Sequence, residues 1–271
     1  MIKQAIIPLA GLGTRLLPLT SVFPKELLPI SGKPGLEYIL DECIDAGINE
    51  IIFVISNKKK LIKKYFYNDK YFNKILRKKK DKRIESEYKK ILKLKKKIKF
   101  VYQNKPDGTG DAVLKAKKYI TGSHFLMLFP DDLIMKRNCS KDMISIHNKH
   151  NCSVMASIKV KKNNVSRWGI YSVKKKLNKL NFTINDVVEK PNINKAPSTN
   201  AVIGRYILPK EIFSKLQNLN KGIGGEIHIT DAIRKLINEN HMFIGHNFAG
   251  KYLDCGTMKG YIKSSLEVSK L

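Results

Sequence analysis

The sequence predicts an α/β protein whose core is a mixed, mostly parallel sheet flanked by helices. An apolar run over Ile2–Leu9 ends in a glycine loop over Ala10–Arg15, as a buried strand leading into a ligand loop does. Gly35–Ala46 then carries apolar residues at helical spacing, and the continuous apolar run Ile51–Ile55 is typical of a buried parallel strand. This strand–helix–strand order indicates a Rossmann-like architecture.

The rest of the chain continues the alternation of strands and helices. Thr230 is the expected N-cap of a helix over 229–238. Since the chain has no internal repeat and no linker rich in Pro, Gly or Ser, we expect a single domain over residues 1–271. The other predicted strands are 98–102, 125–130, 153–160, 168–173, 186–189, 201–208 and 243–248, and the other predicted helices are 111–119, 141–150 and one from residue 258 onward.

A lysine-rich insert at about residues 58–97 interrupts this alternation. The chain has a formal net charge of +29, and residues 58–99 alone hold 20 Lys and Arg against 4 Asp and Glu. Such a charge makes nucleic acid a candidate partner. The insert is rich in Lys and Ile but poor in Arg and Gly, so we expect two or three helices with a solvated face. Nucleic-acid binding is therefore the disfavoured interpretation.

The apolar runs and the cysteines indicate where in the cell the protein is expected. No apolar run approaches the roughly 20 residues that a membrane-spanning helix needs. The amino-terminal apolar run is too short for a signal peptide and lacks a small-residue cleavage site. The four cysteines are scattered and form no C-x-x-C pair, which favours reduced thiols, a cytoplasmic location and the absence of a zinc site.

The glycine loop and the loop that follows it concentrate groups that bind anions. Gly11 and Gly13 have no Cβ, so the backbone can turn sharply and bring its N–H groups close to an anion. Arg15 and Lys25 add positive charge beside those amides. The loop is neither G-x-G-x-x-G, because Leu16 follows, nor a P-loop. Its two glycines are either structural or, with both cations, suited to a nucleoside triphosphate.

Acidic residues end two predicted strands. Asp131 and Asp132 follow one apolar run, and Asp254 stands at another strand end. Adjacent side chains on a strand point in opposite directions, so we expect one of the first two to face the site. Each carboxylate is either a helix cap or a ligand of Mg²⁺, which takes one or two protein carboxylates and fills its other positions with phosphate oxygens and water.

Two further stretches suggest a sugar-phosphate site. Pro191 favours an extended Lys190, so that Glu189 and Lys190 are expected to project from a strand end. The carboxylate would accept sugar hydroxyls and the ammonium would pair with a phosphate; the alternative is a surface salt bridge. Trp168 beside Gly169 is either a platform for a sugar ring or a core residue.

Gln103, followed by Gly108, is a candidate for reading a base. Its amide can hydrogen-bond a base edge, while the glycine lets the base lie flat against the backbone. The six histidines have no metal-binding spacing, and we assign none of them to catalysis.

Nine short motifs in order resemble the signature of the sugar-phosphate nucleotidylyltransferases, and their uridylyltransferases most of all. These motifs are G-L-G-T-R, P-K-E-L-L-P, G-T-G-D-A-V, P-D-D, W-G, V-E-K-P, G-R-Y, G-E-I-H-I-T-D-A and D-C-G-T. The resemblance runs from Ile2 to about Lys263. It implies a nucleotide-diphospho-sugar transferase type of sheet, a magnesium cofactor and a homo-oligomer.

The resemblance also implies a role for each matching residue. Arg15 would hold the triphosphate and Lys25 would contact the reacting phosphates. Asp131 and Asp254 would hold Mg²⁺. The nucleotide would be bound by Ala10, Gly11, Gly13, Thr14, Glu26, Gln103 and Gly108, and the sugar phosphate by Gly169, Glu189 and Lys190.

The implied reaction is transfer of a uridylyl group from UTP to glucose 1-phosphate. The alternatives are the same chemistry with another base or sugar, as in a thymidylyl- or adenylyltransferase, and a non-catalytic basic protein that binds nucleic acid. Two residues depart from the family pattern: Asp111 stands where a neutral or basic residue is usual, and Trp168 where a smaller aromatic is common. Asp111 either caps the following helix or alters the preference for base or metal.

Overall fold

A computed structural model describes residues 1–67 and 70–271, with the backbone alone for Phe72, Arg77 and Ile223. The strands are β1 Gln4–Pro8, β2 Pro29–Ile30, β3 Lys33–Pro34, β4 Glu50–Ile55, β5 Ile98–Tyr102, β6 His124–Leu128, β7 Asp132–Met135, β8 Ser153–Lys159, β9 Gly169–Lys176, β10 Asn181–Glu189, β11 Asn200–Pro209, β12 Phe243–Asn247 and β13 Lys251–Asp254. The helices are α1 Gly35–Asp45, α2 Lys60–Tyr65, α3 Lys70–Lys79, α4 Lys82–Lys95, α5 Thr109–Lys115, α6 Cys139–His150, α7 Ile212–Gln217, α8 Ile229–Asn238 and α9 Met258–Val268.

The main sheet has nine strands in the order β5-β4-β1-β6-β11-β8-β12-β10-β9. Strands β5, β4, β1 and β6 pair in parallel, and β8 pairs in parallel with β12. The other neighbours, from β6–β11 to β10–β9, pair antiparallel. The predicted Rossmann-like mixed sheet is therefore confirmed, but the sheet is not mostly parallel: parallel pairing is concentrated in the half that carries the glycine loop, and the other half pairs mostly antiparallel.

Alternate side chains of the central strands pack on opposite faces of the sheet. Ile7 of β1 belongs to the apolar cluster that includes residues of α1 and α6, whereas its neighbour Ile6 packs with residues of α5 and α8. Phe53 and Val54 of β4 divide between the two faces in the same way. Helices thus cover both faces, as the continuous apolar strands require.

A second, two-stranded sheet pairs β7 with β13 antiparallel, with Asp132 opposite Asp254. The sequence placed Asp132 at the end of the strand before it. The structure instead makes Asp132 the first residue of β7, after β6 has ended at Leu128. This small sheet brings two distant acidic segments side by side.

The insert forms α2, α3 and α4, and α4 begins after Asp81, whose carboxylate accepts hydrogen bonds from the backbone N–H groups of Arg83 and Ile84. Two positions of the predicted insert, 68 and 69, lie outside the described residues. Within the described chain, no helix is long and apolar enough to cross a membrane.

Two local predictions are wrong. The N-cap of α8 is His228, not Thr230, whose hydroxyl instead donates to Glu189 Oε2 at 3.0 Å. The expected strand 186–189 is only the end of β10, which starts at Asn181, because polar residues alternate with Phe182 and Ile184 in its first half.

A buried ion pair joins the antiparallel half of the sheet to its covering helices. The guanidinium of Arg205 on β11 is fully buried and contacts the Glu42 carboxylate of α1 at 2.7 and 3.0 Å. Ser140 of α6 donates to the same carboxylate through its hydroxyl at 2.5 Å. Three elements therefore meet at one largely buried charged pair.

All four cysteines are free and buried. Burial raises the pKa of each thiol above its ordinary value, to about 11 for Cys152 and to about 12 for Cys255. At neutral pH the thiols are therefore protonated and shielded from solvent.

Candidate active site

The glycine loop leaves the carboxyl end of β1 and turns at Gly13. Gly13 has a φ of +69°, which L side chains rarely adopt, and a Cβ there would lie 3.1 Å from Thr20 Cγ2. The Thr20 hydroxyl donates to the Gly13 carbonyl at 2.8 Å and holds the turn. The short 3-10 turn Thr14–Leu16 follows, so that Arg15 stands beside the loop.

Two adjoining cavities open at this end of the sheet, of about 480 and 410 Å³. The cavity beside the glycine loop is here called the nucleotide cavity, and the other the sugar cavity. Their shared wall consists of Arg15, Thr109, Phe129, Asp131, Lys190 and Glu226. Of the residues assigned from the sequence, those lining the nucleotide cavity are Ala10, Gly11, Gly13, Thr14, Arg15, Lys25, Glu26, Gln103, Gly108, Asp131 and Lys190, and those lining the sugar cavity are Arg15, Asp131, Gly169, Glu189, Lys190 and Asp254.

Lys25 and Asp131, which both line the nucleotide cavity, form an ion pair, with Nζ 2.6 Å from Oδ2. Burial acts to lower the pKa of Lys25, but the charges of Asp131 and Glu26 raise it above the ordinary value. Burial likewise acts to raise the pKa of Asp131, but Lys25, with a smaller contribution from Arg15, holds it below its ordinary value. Both groups are therefore charged at neutral pH.

Asp131 and Asp254 converge on one point. A Cβ built on Gly256 would lie 2.8 Å from Asp131 Oδ2 and 3.2 Å from Asp254 Oδ1, so these two oxygens are at most about 6 Å apart. The backbone explains the convergence, because β7 pairs with β13 and the Cys255 N–H donates to the Asp131 carbonyl at 2.8 Å. The Arg167 guanidinium lies 3.9 Å from Asp254.

Asp132 has hydrogen-bond partners of its own, but it lines the sugar cavity together with Asp131, so the expectation that only one of the two faces the site is wrong. Its carboxylate accepts hydrogen bonds from the Gly204 N–H at 2.8 Å and from the Tyr252 hydroxyl at 2.6 Å. Burial, with the nearby charge of Asp131, raises the pKa of Asp132 to about 6. The ring of Tyr252 packs edge-on against Trp168, at 5.9 Å between centroids, and both line the sugar cavity. Trp168 is therefore a wall residue there.

Glu189 is held in the sugar cavity by Thr230. A Cβ on Gly169 would lie 3.3 Å from Glu189 Oε2, so the glycine leaves room for the carboxylate. Lys190 follows, and its Nζ lies 3.7 Å from Glu189 Oε1. Lys190 has a φ of +45°, in the left-handed region, so the expected extended conformation before Pro191 is wrong. A hydrogen bond from the Lys190 N–H to the Trp168 carbonyl, at 3.0 Å, stabilises this turn.

Gln103 lies at the end of β5 and is buried. Its side-chain amide donates to the Gly108 carbonyl at 3.0 Å and to Asp111 Oδ2 at 2.8 Å. Gly108 has a φ of +98°, and a Cβ there would lie 2.5 Å from the Ile227 carbonyl oxygen. The glycine at 108 is thus required by its backbone conformation and by the close approach of Ile227.

Glu26 lines the nucleotide cavity, but its carboxylate is occupied. Both of its oxygens accept hydrogen bonds from Lys59 Nζ, at 2.7 and 2.9 Å, in a buried pair. Burial lowers the pKa of Lys59, partly against the attraction of Glu26. Because Lys59 precedes α2, this pair fastens the start of the insert to the loop that carries Lys25.

Several wall residues were not assigned to the site from the sequence. Arg167, Tyr252, His228 and Thr230 all line the sugar cavity. Arg167 stands next to Trp168, and His228 and Thr230 lie within the motif G-E-I-H-I-T-D-A, which were the available signals. In the described part of the chain, no group of three or more His, Cys, Asp or Glu is arranged to hold a metal ion. Asp131 and Asp254 offer two carboxylates, a number that Mg²⁺ commonly takes beside phosphate oxygens, and the magnesium site stays a prediction.

The chain belongs to the nucleotidyl transferase family, whose profile matches residues 4–270. The resemblance expected from the nine motifs is thereby confirmed. Among curated relatives, a UTP–glucose-1-phosphate uridylyltransferase of Mycoplasma pneumoniae is 37% identical over 268 residues, which cover 98% of this chain and 91% of the relative. UTP–glucose-1-phosphate uridylyltransferase 1 of Staphylococcus saprophyticus is 36% identical over 267 residues, covering 98% and 92%.

Solved structures agree with these relatives. A UDP-glucose pyrophosphorylase complexed with UDP-glucose superimposes with a TM-score of 0.88 at 36% identity, covering 100% of this chain and 99% of the other. A UTP-bound UGPase from Acinetobacter baumannii superimposes with a TM-score of 0.85 at 32% identity, covering 99% and 93%.

Proposed function

We propose that this protein transfers a uridylyl group from UTP to glucose 1-phosphate, giving UDP-glucose and pyrophosphate. Relatives that match nearly the whole chain are named for this reaction. The observation that carries the proposal for these residues is the convergence of two cations, Lys25 and Lys190, with two carboxylates, Asp131 and Asp254, around adjoining cavities.

The reaction needs a nucleophile, a leaving group and neutralisation of phosphate charge. A phosphate oxygen of glucose 1-phosphate attacks the α-phosphorus of UTP in line and forms the new P–O bond. The bond from the α-phosphorus to the bridging oxygen breaks, and pyrophosphate leaves with the electron pair. The attacking oxygen is already ionised, so the step depends on positioning and charge neutralisation rather than on a strong base.

Each side chain then has a role in this step. Arg15 and Lys25, beside the glycine loop, stabilise the charge that grows on the leaving pyrophosphate. Lys190, in the wall shared by the two cavities, binds the phosphate of the sugar. Glu189 accepts hydrogen bonds from hydroxyls of the sugar ring. The carboxylate of Glu26 acts through Lys59 to hold the Lys25 loop in place, and its backbone lines the nucleotide.

Asp131 and Asp254 are proposed to hold Mg²⁺. Their oxygens converge and remain partly accessible, with 19% and 27% of the side-chain surface exposed, which suits a hard cation that also binds phosphate. When bound, Mg²⁺ supplies positive charge to the phosphate oxygens of the substrates. Lys25, which lines the same cavity, would add its own charge to the same phosphates.

The domain organisation, the oligomeric state and the location are proposals of the same kind. We infer a single domain in which α2–α4 form an insert, and a homo-oligomer as the family resemblance implies. A cytoplasmic location rests on the scattered cysteines. Sedimentation equilibrium of the purified protein measures the oligomeric state, and a monomer at all concentrations would contradict it.

A substrate panel tests the proposed reaction. Pyrophosphate release is measured with UTP, dTTP and ATP, each against glucose 1-phosphate and two other sugar 1-phosphates. UTP with glucose 1-phosphate should give the highest kcat/KM. A clear preference for dTTP or ATP would assign the protein to another specificity within the family. No release with any pair, together with tight and salt-dependent RNA binding, would support the basic-protein alternative.

A further inference from the structure

We propose that Asp111 is a positioning residue that fixes the Gln103 amide so that its oxygen faces the base, which makes the site select uracil over cytosine. The inference rests on the proposed function, since it concerns the nucleotide of that reaction. It assigns a role to Asp111, whose contacts the proposed reaction does not use.

The contacts of the Gln103 nitrogen define the orientation of the amide. Nε2 lies 3.0 Å from the Gly108 carbonyl oxygen and 2.8 Å from Asp111 Oδ2. A backbone carbonyl and a carboxylate accept hydrogen bonds but donate none. Turning the amide over would bring its oxygen against two acceptors, so only one orientation is stabilised.

The Gln103 oxygen is left for a ligand. Oε1 has no hydrogen-bond partner in the described part of the chain and is not among the buried atoms that lack one. The Gly108 N–H likewise donates to no other described residue. Since Gln103 and Gly108 both line the nucleotide cavity, the site offers one acceptor and one donor a few residues apart.

Uracil complements this pair and cytosine does not. Uracil presents an N–H donor at ring position 3 with a carbonyl acceptor on either side. Cytosine presents a lone pair at position 3, and it would meet the Gln103 oxygen acceptor to acceptor. An amide in the opposite orientation would offer N–H donors from both residues, which suit N3 and the carbonyl of cytosine. The orientation that Asp111 imposes on the Gln103 amide therefore favours uracil over cytosine.

A helix-capping role for Asp111 has less support. Its carboxylate accepts no backbone N–H from the described residues, and the N-cap of α5 is Gly108 with no side-chain cap. Its other contact is with Lys115, one turn later, at 3.4 Å. A carboxylate also restricts the Gln103 amide to one orientation. An amide side chain at position 111 can either accept or donate a hydrogen bond and would tolerate both orientations of Gln103.

The test compares UTP with CTP in the full-length protein. Values of kcat/KM for pyrophosphate release with glucose 1-phosphate are measured for the wild type, Asp111→Asn and Asp111→Ala. We expect the UTP/CTP ratio of kcat/KM to fall by about tenfold or more in both variants. This is the effect expected when one hydrogen bond no longer distinguishes the two bases. The matched control, Lys115→Ala, removes the other partner of Asp111 and should keep the wild-type ratio.

Three outcomes decide the inference. An unchanged UTP/CTP ratio in both Asp111 variants overturns it, even if their overall rates fall, because a structural role lowers both nucleotides alike. The UTP/dTTP ratio should stay constant, since thymine shares the N–H at position 3, and a large change in it would also count against the inference. Dissociation constants of UTP and CTP, measured by calorimetry, separate the proposed base selection from the proposed reaction. If the wild type binds UTP more tightly than CTP, and the Asp111 variants lose this preference, but no pyrophosphate is released, only the proposed reaction is contradicted.

Discussion

The Lys25 ammonium and the Asp131 carboxylate, 106 residues apart in sequence, lie 2.6 Å from each other at the junction of the two cavities. Each is held charged mainly by its partner, against the effect of burial. Removing either one leaves the other charge in a mostly buried position without its main partner. Activity and stability are therefore coupled at this pair.

Substituting Lys25 should lower turnover strongly. We expect Lys25→Met to reduce kcat by about 10²–10³-fold, because a cation that stabilises the leaving pyrophosphate is lost. It should also cost about 1.5–3 kcal/mol of unfolding free energy, because Asp131 loses its charge-assisted hydrogen bond. Pyrophosphate release and urea unfolding measure the two effects.

The double variant Lys25→Met/Asp131→Asn separates the effect on turnover from the effect on stability. It should recover part of the stability, since no lone carboxylate remains, but none of the activity. Near-wild-type turnover in Lys25→Met would remove Lys25 from the proposed chemistry.

The acidic pair should set the requirement for magnesium. We expect Asp254→Asn to raise the Mg²⁺ concentration for half-maximal activity about tenfold or more, and Asp131→Ala to abolish magnesium-dependent activity, because each loses a ligand of a doubly charged ion. Activity is titrated with MgCl₂ after treatment with a chelator. Asp142→Asn, which alters a carboxylate paired with Arg137 at the surface, is the control. Identical titration curves for all four proteins would place the metal elsewhere.

The contact between Thr230 and Glu189 should govern the sugar phosphate. We expect Glu189→Gln to raise KM for glucose 1-phosphate about tenfold while KM for UTP stays constant, because a carboxylate accepts hydroxyls more strongly than an amide does. Thr230→Val should shift the same constant by less. Asp186→Asn, on the same strand and paired with Arg234, is the matched control. An equal rise of both KM values in Glu189→Gln would argue against a sugar-specific role.

The buried pair of Arg205 and Glu42 should dominate the stability of the sheet. We expect Arg205→Met to cost about 3–5 kcal/mol in urea unfolding, because Glu42 is left buried and unpaired. The double variant Arg205→Met/Glu42→Leu should be less destabilised than the single variant. Arg137→Met, which breaks the exposed pair with Asp142, should cost far less, because solvent screens that pair. A comparable loss in the buried and exposed variants would show that burial does not set the energy.

His246 should make stability depend on pH. Its Nε2 is buried and has no hydrogen-bond partner among the described residues, its Nδ1 lies 2.7 Å from Asn181 Oδ1, and burial lowers its pKa. The unfolded state therefore takes up a proton at about pH 6.5 that the folded state takes up only at lower pH, so stability falls as pH drops through this window. We expect His246→Gln to flatten part of that fall, as measured by urea unfolding between pH 5 and 8. A variant as steep as the wild type would contradict it, and His150→Gln at an exposed site is the control.

The sequence was sufficient wherever one stretch carries its own signal. The apolar run before Gly11 predicted β1, and the helical spacing after Gly35 predicted α1 to within a residue. The site residues named from the motifs line the two cavities because strand ends meet at one edge of a sheet.

The sequence was insufficient wherever two distant segments decide the outcome. Nothing near Lys59 distinguishes it from the lysines around it, yet it is the one that Glu26 draws into the interior. Thr230 has the composition of an N-cap, but Glu189 competes for its hydroxyl across the sugar cavity. Asp132 belongs to β7 only because β13, more than a hundred residues later, supplies its partner strand.

The four enclosed thiols make the molecule a clean background for labelling. A maleimide dye should leave the native wild type unmarked, so a cysteine introduced at an exposed site such as Ser86 on α4 would carry the whole signal. A dye at position 86, paired with a fluorescent nucleotide analogue, would report the distance between the lysine-rich insert and the bound nucleotide at each stage of the turnover cycle.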